Sequence, residues 1–527
     1  MRLFLTGNEA IALGFYFNGG TFASGYPGTP STEILEKLSE YRHVIHSEWA
    51  PNEKVAVESV IGASFAGLRS IAIMKHVGVN VATDPIFTVA YTGINAGMII
   101  VTADDPGIHS SQNEQDNRNY SRFAKIPMLE PSSSQECYDF IEIAFKISEY
   151  IKLPVFIRLT TRICHSKTIV ETNQNNRKEI HFPIERSRRF DPIPIISRQL
   201  HKTLENKIQN LSENTNQINL FKLEKHSNKI GIITSGMSYN YVKEAFGNLF
   251  SILKLNLIFP IPKKIVKDFA NSVEQLYVIE ELDPFLEEEI LKLGIKCIGK
   301  AVLPRTSELS TRILKSTFQF QLDKFEENTT SFSPKVSLFC KGCFYNVFFN
   351  VLSNYKDIII SSDIGCYSMS GGEPFNAKDI AICMGAGFSL AHGIQIANNY
   401  LKRYTRVIGI MGDSTFFHSG ISSLINCIYN KSNPVLIILD NQSTSMTGFQ
   451  DNPGTEKNLM QEKVKKIDIL NLLKALNVQH TREFNPFSSA ETFSAINWAL
   501  TCKELVVLIA KGHCLLKLSK EKRKKND

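Results

Sequence analysis

The sequence predicts an α/β protein of three domains, in which helices cover both faces of mainly parallel sheets. Short β-branched apolar runs alternate with helical patterns along most of the chain, which is typical of parallel sheets. The length of 527 residues suits about three domains of roughly 100–200 residues each. A composition of 43% hydrophobic and 21% charged residues indicates a globular chain.

The first predicted domain spans residues 1–165 and a linker follows it. Helical patterns cover 10–18 and 31–41, and strand patterns cover 21–24, 70–74, 98–101 and 155–157. Residues 166–228 are polar, rich in Asn, Lys, Glu and Ser. We expect them to wrap the surface and to hold one helix near 197–211.

A second domain is predicted at 229–325 and a third at 334–516. The second begins with a strand at 230–234, turns into a helix at Gly236, and continues with strands at 255–258 and 275–280 and a helix after Pro284. Strands of the third are expected at 357–361, 406–411, 434–439 and 505–509. Residues 517–527, KLSKEKRKKND, form a basic tail, expected to be a solvated disordered end, with docking of an acidic electron carrier as the alternative.

Charge and composition exclude several classes of protein. The net charge of +7 is spread among nearly equal numbers of acidic and basic residues, so nucleic acid is not expected as a partner. Asn8 and Glu9 interrupt the apolar N-terminus, which disfavours a signal peptide, and no apolar run reaches the roughly 20 residues that span a bilayer. Ten cysteines without an export signal indicate a reducing, cytoplasmic compartment, where they are thiols or metal ligands.

Polar residues follow two strands of the third domain. Gly412 and Asp413 end the strand in RVIGIMGDSTFFHSG, and Asn441 ends the next, PVLIILD. Ligands bind at this edge of open α/β sheets. Gly412 permits close approach of a diphosphate, while Asp413, Asn441 and the carbonyl of Ser443 are hard oxygen ligands for Mg²⁺. The segment resembles the thiamine-diphosphate motif, which opens with Gly-Asp and closes with Asn, although Ser414 stands where many members have Gly.

The resemblance extends over residues 1 to about 516. The segments GNEAIALG, GYPGTPSTEI, NEKVAVE, MKHVGVNVATDP, DDPGIHSSQNEQD, SDIGCYSM and GDSTFFHSG resemble the large subunit of indolepyruvate:ferredoxin oxidoreductase, within the 2-oxoacid:ferredoxin oxidoreductase family. The resemblance implies that the three domains are of pyrimidine-binding, transketolase C-terminal-like and thiamine-diphosphate-binding type.

Thiamine diphosphate needs a carboxyl group beside its aminopyrimidine, and the resemblance implies a helical Glu followed by small residues. Glu58, followed by Gly62 and Ala63, fits that pattern, and its apolar sequence neighbours predict a buried side chain with a raised pKa. The alternative is that Glu58 is an exposed helix residue with no catalytic role. Glu53 is the other candidate for the activating acid.

Three further residues are candidates for contact with substrate. Thr29, in Tyr-Pro-Gly-Thr-Pro, matches the position where relatives touch the carboxylate or carbonyl of the substrate, although a turn threonine is the alternative. His76 and His109 lie in loops that are expected to face the cofactor and to shuttle protons, or else are structural histidines.

Four cysteines match the order in which relatives ligate one [4Fe–4S] cluster: the CxxC pair Cys340 and Cys343, then Cys366, then Cys514. Unligated thiols or half of a zinc site are the alternatives. The Pro-His that usually follows the pair is absent, and the sequence holds no ferredoxin-like domain with CxxCxxCxxxCP runs.

The resemblance implies oxidative decarboxylation of an aryl 2-oxo acid such as indolepyruvate to acyl-CoA, with electrons passed to ferredoxin. The implied cofactors are thiamine diphosphate, Mg²⁺ and one [4Fe–4S] cluster, with coenzyme A as co-substrate. A smaller β subunit is the implied partner, in a hetero-oligomer with paired large subunits. A non-oxidative decarboxylase or carboligase is the second reading, and a non-catalytic assembly subunit is the third.

Overall fold

The computed structural model describes residues 2–172, 176–213, 220–318 and 339–526. It confirms the α/β class, since its larger sheets are mainly parallel. The chain divides into two compact units, Met1–Glu327 and Asn328–Asp527. The first two predicted domains and the linker all lie in the first unit, and their bounds stay predictions.

A seven-stranded sheet organises the first unit. Its central strands are long apolar runs that are completely buried, as expected for a parallel sheet covered on both faces. The strand order is β12-β6-β7-β5-β4-β2-β3, parallel except for β12. The strands of the first unit outside the four-stranded sheet are β1 Arg2–Thr6, β2 Phe22–Gly25, β3 His46–Trp49, β4 Ser70–Lys75, β5 Met98–Asp104, β6 Met128–Leu129, β7 Val155–Thr160, β8 Lys167–Glu171 and β12 Leu257–Phe259, with β1 and β8 forming a separate antiparallel pair.

Helices of the first unit begin where the sequence supplies caps. The Thr6 hydroxyl accepts from the Glu9 backbone N–H at 3.1 Å, and the Glu9 carboxylate accepts from the Thr6 N–H at 2.8 Å, which is a capping box. Asn52 caps the third helix by accepting from the Val55 N–H at 3.0 Å. The helices are α1 Gly7–Phe17, α2 Thr32–Ser39, α3 Glu53–Phe65, α4 His76–Val81, α5 Thr83–Thr92, α6 Arg118–Ala124, α7 Ser134–Ile151, α8 Thr161–His165, α9 Pro194–Glu213, α10 Gly236–Phe246, α11 Lys263–Ala270, α12 Phe285–Leu291 and α13 Thr311–Thr317.

A four-stranded sheet completes the first unit. Its strands are β9 Phe221–Glu224, β10 Ile230–Thr234, β11 Ser251–Leu255 and β13 Gln275–Ile279, in the order β13-β10-β11-β9. The helix predicted near 197–211 is confirmed within α9. The single strand predicted at 255–258 is wrong. The extended segment is interrupted at Asn256, so that β11 pairs in this sheet while β12 pairs in the seven-stranded sheet.

The second unit is built on a five-stranded parallel sheet in the order β14-β15-β16-β18-β17. Apolar side chains of its strands and helices form a core on each face of the sheet. The strands are β14 Ile358–Ser361, β15 Arg406–Gly412, β16 Val435–Asp440, β17 His480–Phe484 and β18 Val506–Lys511. The helices are α14 Phe344–Leu352, α15 Ala386–Tyr400, α16 Asp413–Thr415, α17 Ile421–Tyr429, α18 Ile469–Ala475, α19 Ser489–Thr501 and α20 Leu515–Asn526, with a π-helical segment, Phe416–Gly420, joining α16 to α17.

The basic tail is not a disordered end. Residues 515–526 form α20, and the Lys517 ammonium anchors its first turns by pairing with Asp451 at 2.7 Å and donating to the Gln442 carbonyl at 3.2 Å. The last tail residue, 527, lies outside the described residues. Among the helices that are described, none combines the length and the hydropathy needed to cross a bilayer.

Candidate functional site

Neighbouring strands of the second unit bring the predicted diphosphate-side residues to one sheet edge. β15 ends at Gly412 and β16, its partner, ends at Asp440, so the residues that follow lie side by side. Asp413 opens the helix after β15, while Asn441 and Ser443 lie in the loop after β16. The Ser443 backbone N–H donates to Asp413 Oδ2 at 3.2 Å, which ties the two segments together. The three residues predicted as magnesium ligands therefore lie at the same edge of the sheet.

Asp413 is a carboxylate in an environment suited to a cation. Its side chain belongs to a residue only 2% exposed, and Asn452 Nδ2 donates to its Oδ2 at 2.9 Å. Burial, reinforced by the nearby Asp440 carboxylate, raises the pKa of Asp413 to about 7. A divalent ion would reverse this effect, because a bound cation favours the charged carboxylate.

Two further buried oxygens lack a partner beside Asp413. Asn441 Nδ2 donates to the Tyr345 hydroxyl at 2.9 Å, which leaves Asn441 Oδ1 without a hydrogen bond among the described residues. The Ser443 hydroxyl is buried and unpartnered in the same part of the chain. Buried polar atoms are normally satisfied, so such oxygens indicate an additional ligand. Oxygen donors of this kind fit Mg²⁺ and the diphosphate it carries.

Gly412 and Ser414, which flank Asp413, have different packing reasons for their identity. A Cβ at Gly412 would lie 3.0 Å from Cε1 of the Tyr367 ring, so a larger residue there would press on this tyrosine. The Ser414 hydroxyl, at the position where many relatives have Gly, pairs with the Thr444 hydroxyl at 2.8 Å. The serine therefore joins the helix after β15 to the loop after β16.

The four predicted cluster cysteines come together in the second unit. The Cys343 N–H donates to the Cys340 carbonyl at 3.0 Å, and Asn346 Nδ2 binds both carbonyls, which closes a tight loop. Burial raises the pKa of the Cys366 thiol to about 12, and the thiols of Cys514, Cys343 and Cys340 raise it further, so all four lie within electrostatic range. Within the described ranges, no set of three or more His, Cys, Asp or Glu side chains is spaced for a single metal ion. A cubane spreads its four ligands over four irons, which places them farther apart.

Two residues that the sequence did not single out as candidates support the cysteine segments and the loop of Asn441. Asp363, in SDIGCYS, is fully buried and accepts from the backbone N–H groups of Gly385 and Gly387 at 2.9 and 2.7 Å, so it joins the Cys366 segment to α15. Burial raises the pKa of Asp363 to about 6. Tyr345 follows the CxxC pair and orients the Asn441 amide. The only sequence signal for Tyr345 was the absence of the Pro-His pair of relatives.

In the first unit, three adjacent strands deliver the candidates for the pyrimidine and substrate side. β3, β2 and β4 are neighbours in the sheet. Thr29 lies in the loop after β2, α3 begins after β3 with Glu53, and α4 begins after β4 with His76. Parallel strands end at a common edge, so the topology gathers these segments where ligands bind.

The expected burial of Glu58 is wrong. Its side chain is 45% exposed and forms an i,i+4 ion pair with Lys54. Glu53, the rival, is only 7% exposed. A Cβ added to Gly78 would lie 2.7 Å from both Cγ and Oε1 of Glu53, so the Glu53 carboxylate lies directly against the start of α4. The physical reason is helical phase, because Glu53 lies on the buried stripe of α3 with Ala56, Val57, Val60 and Ser64, and Glu58 does not.

The other candidates differ in exposure. His76 is fully buried, and burial lowers its pKa, with partial opposition from the Asp104 carboxylate and the Asn113 side chain. Among the described residues, neither ring nitrogen makes a hydrogen bond of good geometry. His109 has a side chain 49% exposed and lies 3.4 Å from a Glu308 oxygen. Thr29 is half-buried. His76 is thus a buried histidine without a well-formed hydrogen bond at this sheet edge.

Family models match a segment of each unit of the chain. A family model described as "Pyruvate flavodoxin/ferredoxin oxidoreductase, thiamine diP-bdg" matches residues 14–229, and one described as "Thiamine pyrophosphate enzyme, C-terminal TPP binding domain" matches residues 363–510. A solved structure, 2-oxoglutarate:ferredoxin oxidoreductase from Magnetococcus marinus with 2-oxoglutarate, coenzyme A and succinyl-CoA bound, is similar in fold, with a TM-score of 0.51 and 17% identity over 60% of this chain and 65% of that chain.

Curated relatives match over nearly the full chain. Indolepyruvate oxidoreductase subunit IorA of Archaeoglobus fulgidus is 36% identical, and the alignment covers 99% of this chain and 88% of the relative. The subunit of the same name from Pyrococcus horikoshii is also 36% identical, with 98% and 86% covered. This chain therefore belongs to the family of indolepyruvate oxidoreductase subunit IorA, among the thiamine-diphosphate-dependent 2-oxoacid:ferredoxin oxidoreductases.

Proposed function

We propose that this chain is the large subunit of an enzyme that oxidatively decarboxylates an aryl 2-oxo acid of the indolepyruvate class. One 2-oxo acid and one coenzyme A give one acyl-CoA, one carbon dioxide, one proton and two electrons, which pass to ferredoxin. The substrate class is that named for the relatives of Archaeoglobus fulgidus and Pyrococcus horikoshii. A smaller β subunit completes the enzyme, in a hetero-oligomer with paired large subunits.

The observation that carries the proposal is the buried oxygen cluster at the edge of the five-stranded sheet. Asp413 is buried beside Asn441 Oδ1 and the Ser443 hydroxyl, both unpartnered among the residues the structure describes. We assign Asp413, Asn441 and Ser443 to Mg²⁺ and the diphosphate, with Gly412 and Ser414 at the same turn. When bound, thiamine diphosphate supplies a nucleophilic carbon for the carbonyl of the 2-oxo acid and accepts its electrons after carbon dioxide leaves.

The acid that activates the cofactor is Glu53 in this proposal, in place of Glu58. Its carboxyl group is buried against the start of α4, where it can form a hydrogen bond with a pyrimidine nitrogen, whereas Glu58 is committed to Lys54 at the surface. The Thr29 hydroxyl donates to the substrate carbonyl or carboxylate as negative charge builds there. The His76 ring, whose pKa burial lowers, makes no well-formed hydrogen bond among the described residues and is our candidate for accepting and returning a proton.

Cys340, Cys343, Cys366 and Cys514 would hold one [4Fe–4S] cluster, which would supply a one-electron acceptor for the electrons of the reaction. The hydrogen-bonded loop from Cys340 to Cys343 packs against Leu515, the residue after Cys514, which supports this assignment. Cys514 N–H donates to the Asn441 carbonyl at 3.1 Å, so one proposed cluster ligand is bonded to the loop that holds the proposed magnesium ligand. A cluster bound by these cysteines would therefore lie close to the loop proposed to hold the diphosphate.

The test is anaerobic turnover by the complex with its smaller subunit, using indolepyruvate, coenzyme A and a viologen dye. We expect dye reduction and acyl-CoA in a 2:1 ratio, about four iron atoms per large subunit beyond those of the partner, and a loss of at least about 100-fold in kcat for Glu53→Gln. Glu58→Gln is the matched control and should retain wild-type turnover. Release of aldehyde without dye reduction would instead establish the non-oxidative decarboxylase.

A further inference from the structure

We propose that the surface formed by Cys340, Lys341 and the exposed side of α20 is the docking site for an acidic iron–sulfur electron carrier. We call this surface the docking patch, and it comprises Cys340, Lys341, Leu515, Leu516, Lys520, Lys522 and Arg523. The inference rests on the proposed function, since it requires the four cysteines to hold a cluster. All of the patch belongs to the second unit.

The cysteines place the cluster at the surface on this side of the unit. Cys340 is exposed, whereas Cys343, Cys366 and Cys514 are partly buried. α20 starts directly after Cys514. A Cβ at Gly342 would lie 3.3 Å from Leu515 Cδ1, so the first turn of α20 packs against the loop between Cys340 and Cys343. The Cys340 side of a bound cluster would therefore be its most exposed side, and this side lies at the docking patch.

The patch has an apolar centre and a basic rim. Leu515 and Leu516 are 39% and 46% exposed, next to the cysteine loop. Lys520, Lys522 and Arg523 are exposed one to two turns further along the same helix. Lys517 is paired with Asp451, but the sequence of residues 518–525 still contains five lysines or arginines and one acidic residue, Glu521, so the charge is strongly one-sided although the whole chain is only +7.

These features select a partner of one kind. Electron-transfer complexes have small interfaces and short lifetimes. Opposite charges on the two proteins steer their encounter and orient them. A positive rim around exposed leucines matches a negatively charged carrier that presents a cluster near its own surface. Each turnover delivers two electrons, so two oxidised one-electron carriers visit the patch in succession and leave reduced. A basic rim also speeds this exchange by raising the association rate.

Charge reversal on α20 tests the proposal in the intact complex with the smaller subunit. Lys522→Glu combined with Arg523→Glu is compared with Lys431→Glu combined with Lys503→Glu, an equal charge change at exposed residues on the opposite edge of the sheet, before β16 and β18. The probes are a purified acidic single-cluster ferredoxin, which accepts one electron, and a viologen dye. At low ionic strength we expect kcat/KM for ferredoxin to fall about tenfold or more in the α20 variant only. Dye reduction should stay at the wild-type rate, and the ferredoxin defect should shrink as salt rises.

Three results overturn the docking patch. The α20 variant reduces ferredoxin as well as the wild type does, or both double variants lose it equally, or the α20 variant loses the smaller subunit on purification, in which case that subunit is the occupant. Failure of the wild-type complex to reduce the dye would instead refute the proposed function. Titration calorimetry of ferredoxin with wild type and both variants then decides the patch without turnover.

Discussion

Gly78→Ala tests the assignment of Glu53 as the activating acid, because the added methyl group displaces the Glu53 side chain. The new Cβ would lie 2.7 Å from Cγ and Oε1 of Glu53, whereas ordinary van der Waals contact begins at 3.4 Å. The Glu53 side chain must therefore move by about 0.7 Å, the difference between these distances. A displacement of about 1 Å in a catalytic group costs roughly 100-fold in rate. We expect kcat to fall by about 10- to 100-fold.

Stability should change little in the same variant. Gly78 has an ordinary helical conformation in α4, so alanine gains about 0.5–1 kcal/mol from helix propensity. The clash is with the flexible end of a side chain, and its relief offsets part of that gain. The expected combination is a thermal midpoint within a few degrees of wild type together with a large loss of turnover.

Gly62→Ala is the matched control for this prediction. Gly62 lies in α3, and its added Cβ would meet no atom within 4 Å. We expect wild-type turnover and a small rise in the thermal midpoint from the same propensity effect. Steady-state rates at saturating cofactor, with circular dichroism melts, measure both quantities. Wild-type kcat in Gly78→Ala would refute the reasoning that places Glu53 in the catalytic machinery.

Three further predictions concern the second unit. Asp413→Asn should abolish the thermal stabilisation given by Mg²⁺ with thiamine diphosphate, which is about 2.7 kcal/mol at 100 times the Kd. The control Asp357→Asn, at an exposed position before β14, should keep this stabilisation. Equal shifts in the two variants would contradict the assignment of Asp413 as a ligand. Tyr345→Phe removes the hydroxyl that orients a buried amide and should weaken cofactor binding about tenfold, measured by titration calorimetry. Cys366→Ser should lose iron and visible absorbance after anaerobic purification, while Cys383→Ser, an exposed cysteine outside the proposed ligand set, should retain both.

The diphosphate side of the site was predictable from sequence. Asp413 and Asn441 each follow a short apolar run, and parallel strands end at one edge of a sheet, so chain order alone brings them together. The order of the cysteines was equally visible. Their approach to one another depends on how α14, the segment after β14 and the segment after β18 pack.

The activating acid shows where interpretation of the sequence failed. Apolar neighbours in the sequence suggested that Glu58 is buried, but burial in a helix follows residues three and four apart. Counting from the Asn52 cap places Glu53 on the apolar stripe, so this signal was present in the sequence. The interruption between β11 and β12 at Asn256 had no such signal. Two consecutive apolar runs look like one strand in the sequence, and only their pairing with different sheets separates them.

Local chemistry determined the fold class, the ends of the main strands and the residue types at the edge of the five-stranded sheet, since these depend on apolar periodicity and short motifs. Tertiary packing decided the rest. It left Asn441 Oδ1 without a partner among the described residues and made a helix of the basic tail through the anchor at Lys517. Burial and hydrogen-bond pairing depend on neighbours that are distant in the chain, so no local pattern specifies them.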